Sequence, residues 1–203
     1  REPPPEGTLV AFRYRTDGAE ILKGITFDIA PGEVVAVVGR TGSGKTSLGR
    51  VLTRTYDGYE GHVGLRTAAG EVEVRDVAPD ALRSQLLMVQ QDVFLFNDDV
   101  AFNVSLGEAS LADHPERIEA ALRTVQGEFL MQRGGIGFVV GERGRNLSSG
   151  EAQLLAFARV AARSPTLLIL DEATASVDSM TEHKVQAAIE ELSRNYTIRA
   201  KTA

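Results

Sequence analysis

The chain has 203 residues, 43% hydrophobic and 25% charged, with a formal net charge of −6. That length can bury the core of one domain, and an acidic balance without a Lys/Arg cluster argues against nucleic-acid binding, which uses a basic footprint. There is no cysteine, so disulfides and thiolate metal sites are excluded, and no apolar run approaches the roughly 18 residues of a membrane span. Any membrane role is expected to come through a partner or a segment outside this sequence.

Arg1 to Gly7, with Pro3, Pro4 and Pro5 in a row, reads as a lead-in or linker. Leu9 to Tyr14 alternates, with Val10, Phe12 and Tyr14 on one face of a half-buried strand. A turn at Thr16-Asp17-Gly18 and a second strand over Ile25 to Ile29 follow. Val34 to Val38 predicts a buried strand, and Ser47 to Thr55 a helix with Leu48, Val51 and Leu52 on one face. Gly58 to Val77 is a Gly-punctuated β region, followed by a short helix over Pro79 to Ser84 and a buried strand at Leu86 to Val89. Residues from about 98 to 133 read as a separate helical lobe, in which Ile118, Ala121, Leu122 and Val125 share a face. After a Gly-rich loop, Gly134 to Gly144, come a helix to Arg163, an apolar strand over Thr166 to Leu170, a helix over Met180 to Leu192, and a strand start at Tyr196-Thr197-Ile198. The pattern is α/β: a mainly parallel core, a small antiparallel β part and a helical part.

Two motifs carry chemistry. Gly39-Arg40-Thr41-Gly42-Ser43-Gly44-Lys45-Thr46 follows the apolar strand with Walker A spacing. Its glycines let backbone N–H groups close around a phosphate, and the helix that follows points its positive end there. Lys45 is placed to bind the β- and γ-phosphates, and Thr46 to offer its hydroxyl to Mg²⁺. Leu167-Leu168-Ile169-Leu170-Asp171-Glu172 puts two carboxylates at the carboxyl end of a strand buried on both faces. Asp171 is placed to hold Mg²⁺ and Glu172 to polarise the attacking water. Ser148 with Glu151 three positions on is a capping box, and a capped, Gly-containing helix start is also an anion site.

Walker A, then Leu147-Ser148-Ser149-Gly150-Glu151, then the Asp171-Glu172 strand resembles the nucleotide-binding domain of ABC transporters over nearly the whole chain. Gly141-Glu142-Arg143-Gly144 before the signature, and the run from Asp171 to Asp178, look most like exporters of the multidrug and lipid type. The resemblance implies the ABC ATPase fold as one domain over 1–203. Residues 1–7 would be the linker, about 8–92 and 164–203 the catalytic core with the β subdomain, and about 93–163 the helical subdomain with the signature. It implies ATP and Mg²⁺ as cofactors, with a site formed by Tyr14, Gly39, Thr41, Gly42, Ser43, Gly44, Lys45, Thr46 and Ser47. Tyr14 would stack on adenine, and Gln91 would sense Mg²⁺ and the γ-phosphate. Asp92 to Phe96 would face a transmembrane domain; the plain reading is an exposed loop with Phe94 and Phe96 packed inward. Ser148 and Gly150 would contact ATP on a second nucleotide-binding domain, homo- or heterodimeric, and Asp178 would cross that interface. The expected location is the cytoplasmic face of the membrane, with no nucleic-acid partner.

Three departures from the family pattern stand out. Ser149 and Glu151 replace a usual Gly and Gln, and Ala152 stands where Arg is common. The family's switch histidine has no counterpart: His62, His114 and His183 all lie elsewhere. Either the chain stops short of it, residues are missing, or the switch is absent. Two other functions share these motifs: a soluble ABC ATPase of DNA repair or translation, and a non-catalytic regulatory nucleotide-binding domain. Acidity weighs against the first and Glu172 against the second.

Overall fold

The structure, a computed structural model, describes residues 10–14, 18–67, 70–90, 92–171, 181–195 and 197–200. The lead-in 1–7, Gln91, and residues 172–180 with Glu172 and Asp178 lie outside the described residues. In chain order the elements are β1 (Val10–Phe12), β2 (Leu22–Ile25), β3 (Val34–Ala36), α1 (Lys45–Leu52), β4 (Tyr59–Glu60), β5 (Gly64–Thr67), β6 (Gly70–Glu73), α2 (Pro79–Gln85) and β7 (Leu86–Val89). Then follow α3 (Val100–Ser105), α4 (Ala109–Ala112), α5 (Pro115–Thr124), α6 (Glu128–Gln132), α7 (Ser149–Arg163), β8 (Leu167–Leu170), α8 (Glu182–Asn195) and β9 (Thr197–Ala200).

One sheet runs in the order β3-β9-β8-β7, with every neighbouring pair parallel. Its register aligns Ala36 with Ala200, Ala200 with Leu170, and Leu170 with Val89. The strands therefore end level, and the residues after β3, β7 and β8 emerge at one edge, where open α/β sheets place their ligands. A second sheet, antiparallel in the order β2-β1-β4, sets Phe12 opposite both Leu22 and Tyr59. β5 and β6 form a hairpin.

Two apolar cores lie against the strands. The larger collects α3, α5, α7 and α8 around Phe157, Leu122 and Leu155, and takes Val89, Leu168 and Leu170 from β7 and β8. The smaller packs Leu48 and Val51 of α1 with Phe12, Leu22, Tyr59, Leu82 and Leu86. α1 lies close to the sheet: a Cβ on Gly49 would come within 3.2 Å of Met88 Cε and 3.3 Å of Ile169 Cγ2.

Two expectations, and the alternative reading of 92–96, are corrected. The second strand is Leu22–Ile25, not 25–29, because its register is set by Leu22 meeting Phe12 in the core, while Phe27 is exposed. The strand before the P-loop is not buried: Val34 is 53% and Val38 71% exposed. β3 ends the described sheet and pairs only with β9 among the described strands, so one of its edges stays open. Phe94 and Phe96 do not turn inward; Leu95 between them does, while Phe94 is 60% exposed.

Candidate active site

The loop from Val37 to Gly44 leaves β3 at the sheet edge and delivers the chain into α1. A 3.1 Å bond from Ser43 N–H to the Arg40 carbonyl tightens its turn. Gly44 caps the helix with φ +90 and no side-chain hydrogen bond, so the cap leaves the first-turn N–H groups to an outside acceptor. A Cβ at Gly44 would stand 2.9 Å from Leu22 Cδ2, so the position excludes other residues on both backbone and space. The Lys45 ammonium donates to the carbonyls of Gly39 and Arg40, 3.0 Å for the latter, which holds its charge inside the loop. Thr41 and Gly42 lie exposed at the tip.

Thr46 Oγ1 donates to Asp171 Oδ2 over 2.8 Å. These residues are 125 positions apart, and the aligned strand ends bring them together. Asp171 is buried, and its N–H is anchored on the Val89 carbonyl at 2.9 Å. A hydroxyl and a carboxylate converging beside a loop of backbone N–H groups form an oxygen-only donor set, which suits a hard cation carried with a phosphate. Mg²⁺ therefore fits this pair.

Tyr14 lies on the same side. Its hydroxyl is 2.7 Å from the hydroxyl of buried Ser47, and its ring stands edge-on to Phe12 and Tyr56 at 5.0 and 5.1 Å. Tyr14 is 47% exposed. Tyr56 went unread in the sequence, although an aromatic just beyond the P-loop helix was a usable signal.

The capping box at α7 is complete. Ser148 Oγ accepts from Glu151 N–H at 3.2 Å, and Glu151 accepts from Ser148 N–H at 2.9 Å. Glu151 also pairs with Arg133 at 2.9 Å, which gives the glutamate in place of glutamine a second task. Ser148 and Ser149 are exposed and Gly150 is buried. The hydrogen bonds of Ser148, including that from Ala152 N–H to its carbonyl at 2.9 Å, stay within the first turn of α7. The structure thus joins Tyr14, Ser47, Lys45, Thr46 and Asp171 in one place, with the signature on a different element.

The ABC transporter family model matches residues 22–175. An ATP-dependent lipid A-core flippase of Burkholderia pseudomallei (strain 1710b) is 43% identical over 197 residues, which cover 95% of this chain and 32% of the flippase. Heavy metal tolerance factor 1 of Caenorhabditis elegans is 37% identical over 198 residues, covering 95% of this chain and 24% of that protein. Among solved structures, a bacterial Atm1-family ABC exporter with ATP bound aligns with a TM-score of 0.81 at 33% identity, over 97% of this chain and 34% of the exporter chain. The fold, with its P-loop joined to a strand-end carboxylate, is that of a P-loop ATPase domain. The chain belongs to the ABC transporter family. It spans about a third of the length of the flippase and of the exporter chain.

Proposed function

We propose that this chain is the motor of an ABC exporter, working as one of two nucleotide-binding domains packed head to tail on the cytoplasmic face of a membrane. The observation that carries the proposal is the Thr46–Asp171 hydrogen bond, which unites the two nucleotide motifs. Among the described residues no helix is long and apolar enough to cross a membrane, so a transmembrane partner domain supplies that part. The smaller core lies under the P-loop, and the larger one carries the signature helix together with β8 and α8.

The reaction is in-line attack of water on the γ-phosphorus of ATP, breaking the bond to the β-phosphate oxygen and releasing ADP and phosphate. Catalysis of this kind is positioning and charge stabilisation. Backbone N–H groups of the loop from Gly39 to Thr46 cradle the phosphates. Lys45 exchanges its two carbonyl partners for phosphate oxygens, a stronger charge-assisted bond. Thr46 and Asp171 would hold Mg²⁺, which would supply positive charge to offset that of the phosphates. Glu172 orients the water, and Gln91 reports the γ-phosphate to the loop behind it. Tyr14, half exposed, stacks on adenine. Ser148 and Gly150 complete the site on the opposite copy, with Asp178 crossing between them. Phe94 and Phe96, stacked edge-on at 5.0 Å and exposed, face the transmembrane domain.

The relatives named above carry different names, a lipid A-core flippase beside a heavy metal tolerance factor. What they share with this chain is the ATP site, so the likeness carries the motor and not the transported molecule. An ATPase acting on nucleic acid has no observation in its favour at a net charge of −6. The test is Mg-ATP turnover against protein concentration. A composite two-copy site predicts a rate that rises faster than linearly and is lost in Glu172→Gln. Nucleotide binding without turnover at any concentration would instead make the domain regulatory.

A further inference from the structure

Asn103 is a fully buried polar residue in an otherwise apolar stretch of α3. Its Oδ1 accepts the N–H of Phe96 at 2.8 Å. Its Nδ2 donates to the carbonyls of Phe96 at 3.0 Å, Asp99 at 3.0 Å and Asp98 at 3.3 Å. The aromatic loop is thus tied by its backbone to one side chain. From the other side comes α7: Arg159 Nε donates to the Asn103 carbonyl at 2.7 Å, and its Nη2 lies 3.3 Å from Oδ1. One turn on, Arg163 donates to the carbonyls of Val104 at 2.8 Å and Ser105 at 2.5 Å, so two guanidinium groups of α7 close the carboxyl end of α3. Burial, and after it the charge of Arg163, push Arg159 down to about 10, still charged at neutral pH. A charge held that deep is kept by good geometry on its acceptors.

The same loop is pinned to the segment leading into the signature. Val140 N–H donates to the Asp98 carbonyl at 2.9 Å, and Val100 N–H to that of Phe138 at 3.0 Å. Buried Leu95 lies against Gly144, whose φ is +75 and where a Cβ would stand 2.9 Å from Leu95 Cδ1. Fully satisfied buried networks fix one arrangement of the parts they join. We infer that Asn103 and Arg159 are positioning residues, which lock the exposed Phe94–Phe96 surface to the signature helix so that the two move as one body. Pressure on the aromatic pair then shifts Ser148 and Gly150, instead of bending the loop alone. This rests on the reading of 92–96 as the face toward the transmembrane domain.

The chain has no cysteine, so spin labels at Asn97→Cys and Ser149→Cys, both exposed positions, report one distance. In the otherwise unaltered full chain the distance distribution is narrow, with and without Mg-ATP. In Asn103→Ser it becomes about twofold broader while circular dichroism stays unchanged. A folded Asn103→Ser chain with the original width overturns the inference, because a role in stability alone lowers the melting temperature and leaves the width untouched. Should Asn103→Ser fail to fold, Arg159→Lys decides: it keeps the charge but not the fork, so broadening supports the lock and an original width overturns it. The underlying reading is tested separately by Phe94→Ser in the full-length transporter. Unchanged coupled ATPase there removes 92–96 as the partner face and leaves the distance result standing.

Discussion

An alanine at position 44 would have to adopt φ +90 and place its Cβ 2.9 Å from Leu22 Cδ2. Left-handed strain of this sort costs about 1–3 kcal/mol. Because Gly44 opens both α1 and the phosphate loop, the cost falls on nucleotide binding. Gly44→Ala is expected to weaken ATP binding by roughly ten- to a hundredfold in calorimetric titration, and wild-type affinity would rule that geometry out. A second residue-scale prediction concerns Glu73. Burial raises its pKa, but this is outweighed by the hydrogen bonds from the Tyr59 hydroxyl and the N–H groups of Val63 and Arg75, and by the charge of Arg75, so its carboxyl titrates below its usual range. Tyr59 in turn is pushed well above the phenol range by burial and by Glu73. A carboxylate depressed in the fold stabilises it fully above its unfolded pKa, about 4.3, and loses that contribution as pH falls through the folded value. Glu73→Gln should therefore cost about 1–3 kcal/mol at neutral pH, with the gap from wild type closing as the pH falls below about 4.3 in urea melts. A gap that stays constant with pH would mean that Glu73 contributes shape and not charge.

Among the elements, α7 shows most plainly what the sequence conveys. Ser148 and Glu151 announce a helix start by local chemistry alone, and both reciprocal bonds are present. Ser148→Ala removes one of them and is expected to cost about 1 kcal/mol, a drop of about 2–4 °C in melting temperature. Glu151→Gln keeps the acceptor and loses only the exposed side of the pair with Arg133, so it should cost less than about 1 kcal/mol. The reverse order of the two losses in thermal melts would mean that the ion pair, not the cap, holds the helix start. Local signals of this kind made α1, α2, α5, α7, β7 and β8 legible. β2 was misplaced because its register comes from Phe12, across a turn, while local propensity favours β-branched Ile25 over Leu22 as a strand former. The run Val34 to Val38 is as apolar as a central strand, and nothing in it tells that β3 stands at the end of the described sheet. The P-loop and Asp171 could be read because their chemistry is tied to spacing. Asn103 could not: a lone amide in a short helix acquires meaning only when Phe96, Asp98 and Arg159 arrive from other segments.

The two cores raise a question for the whole molecule, which is whether they melt together. β7 and β8 answer it in part, since Leu86 belongs to the smaller core while Val89, Leu168 and Leu170 belong to the larger. Strands shared in this way couple the cores, because losing either exposes apolar surface on the other. A single unfolding transition is therefore expected, although the P-loop helix α1 belongs only to the smaller core. Nucleotide makes the coupling measurable. A ligand at a hundred times its dissociation constant adds about 2.7 kcal/mol to a fold that binds it. For a chain of this size that is a rise of about 5–10 °C in melting temperature. With shared strands the rise applies to the entire transition, so the near-ultraviolet signal of the aromatics in the smaller core and the helical signal of α5 and α7 shift together. Lys45→Ala, which removes the ammonium from the loop, should abolish the rise without splitting the curve. Two resolved transitions, of which only one moves with Mg-ATP, would show instead that the signature-bearing core is energetically separate from the core under the P-loop.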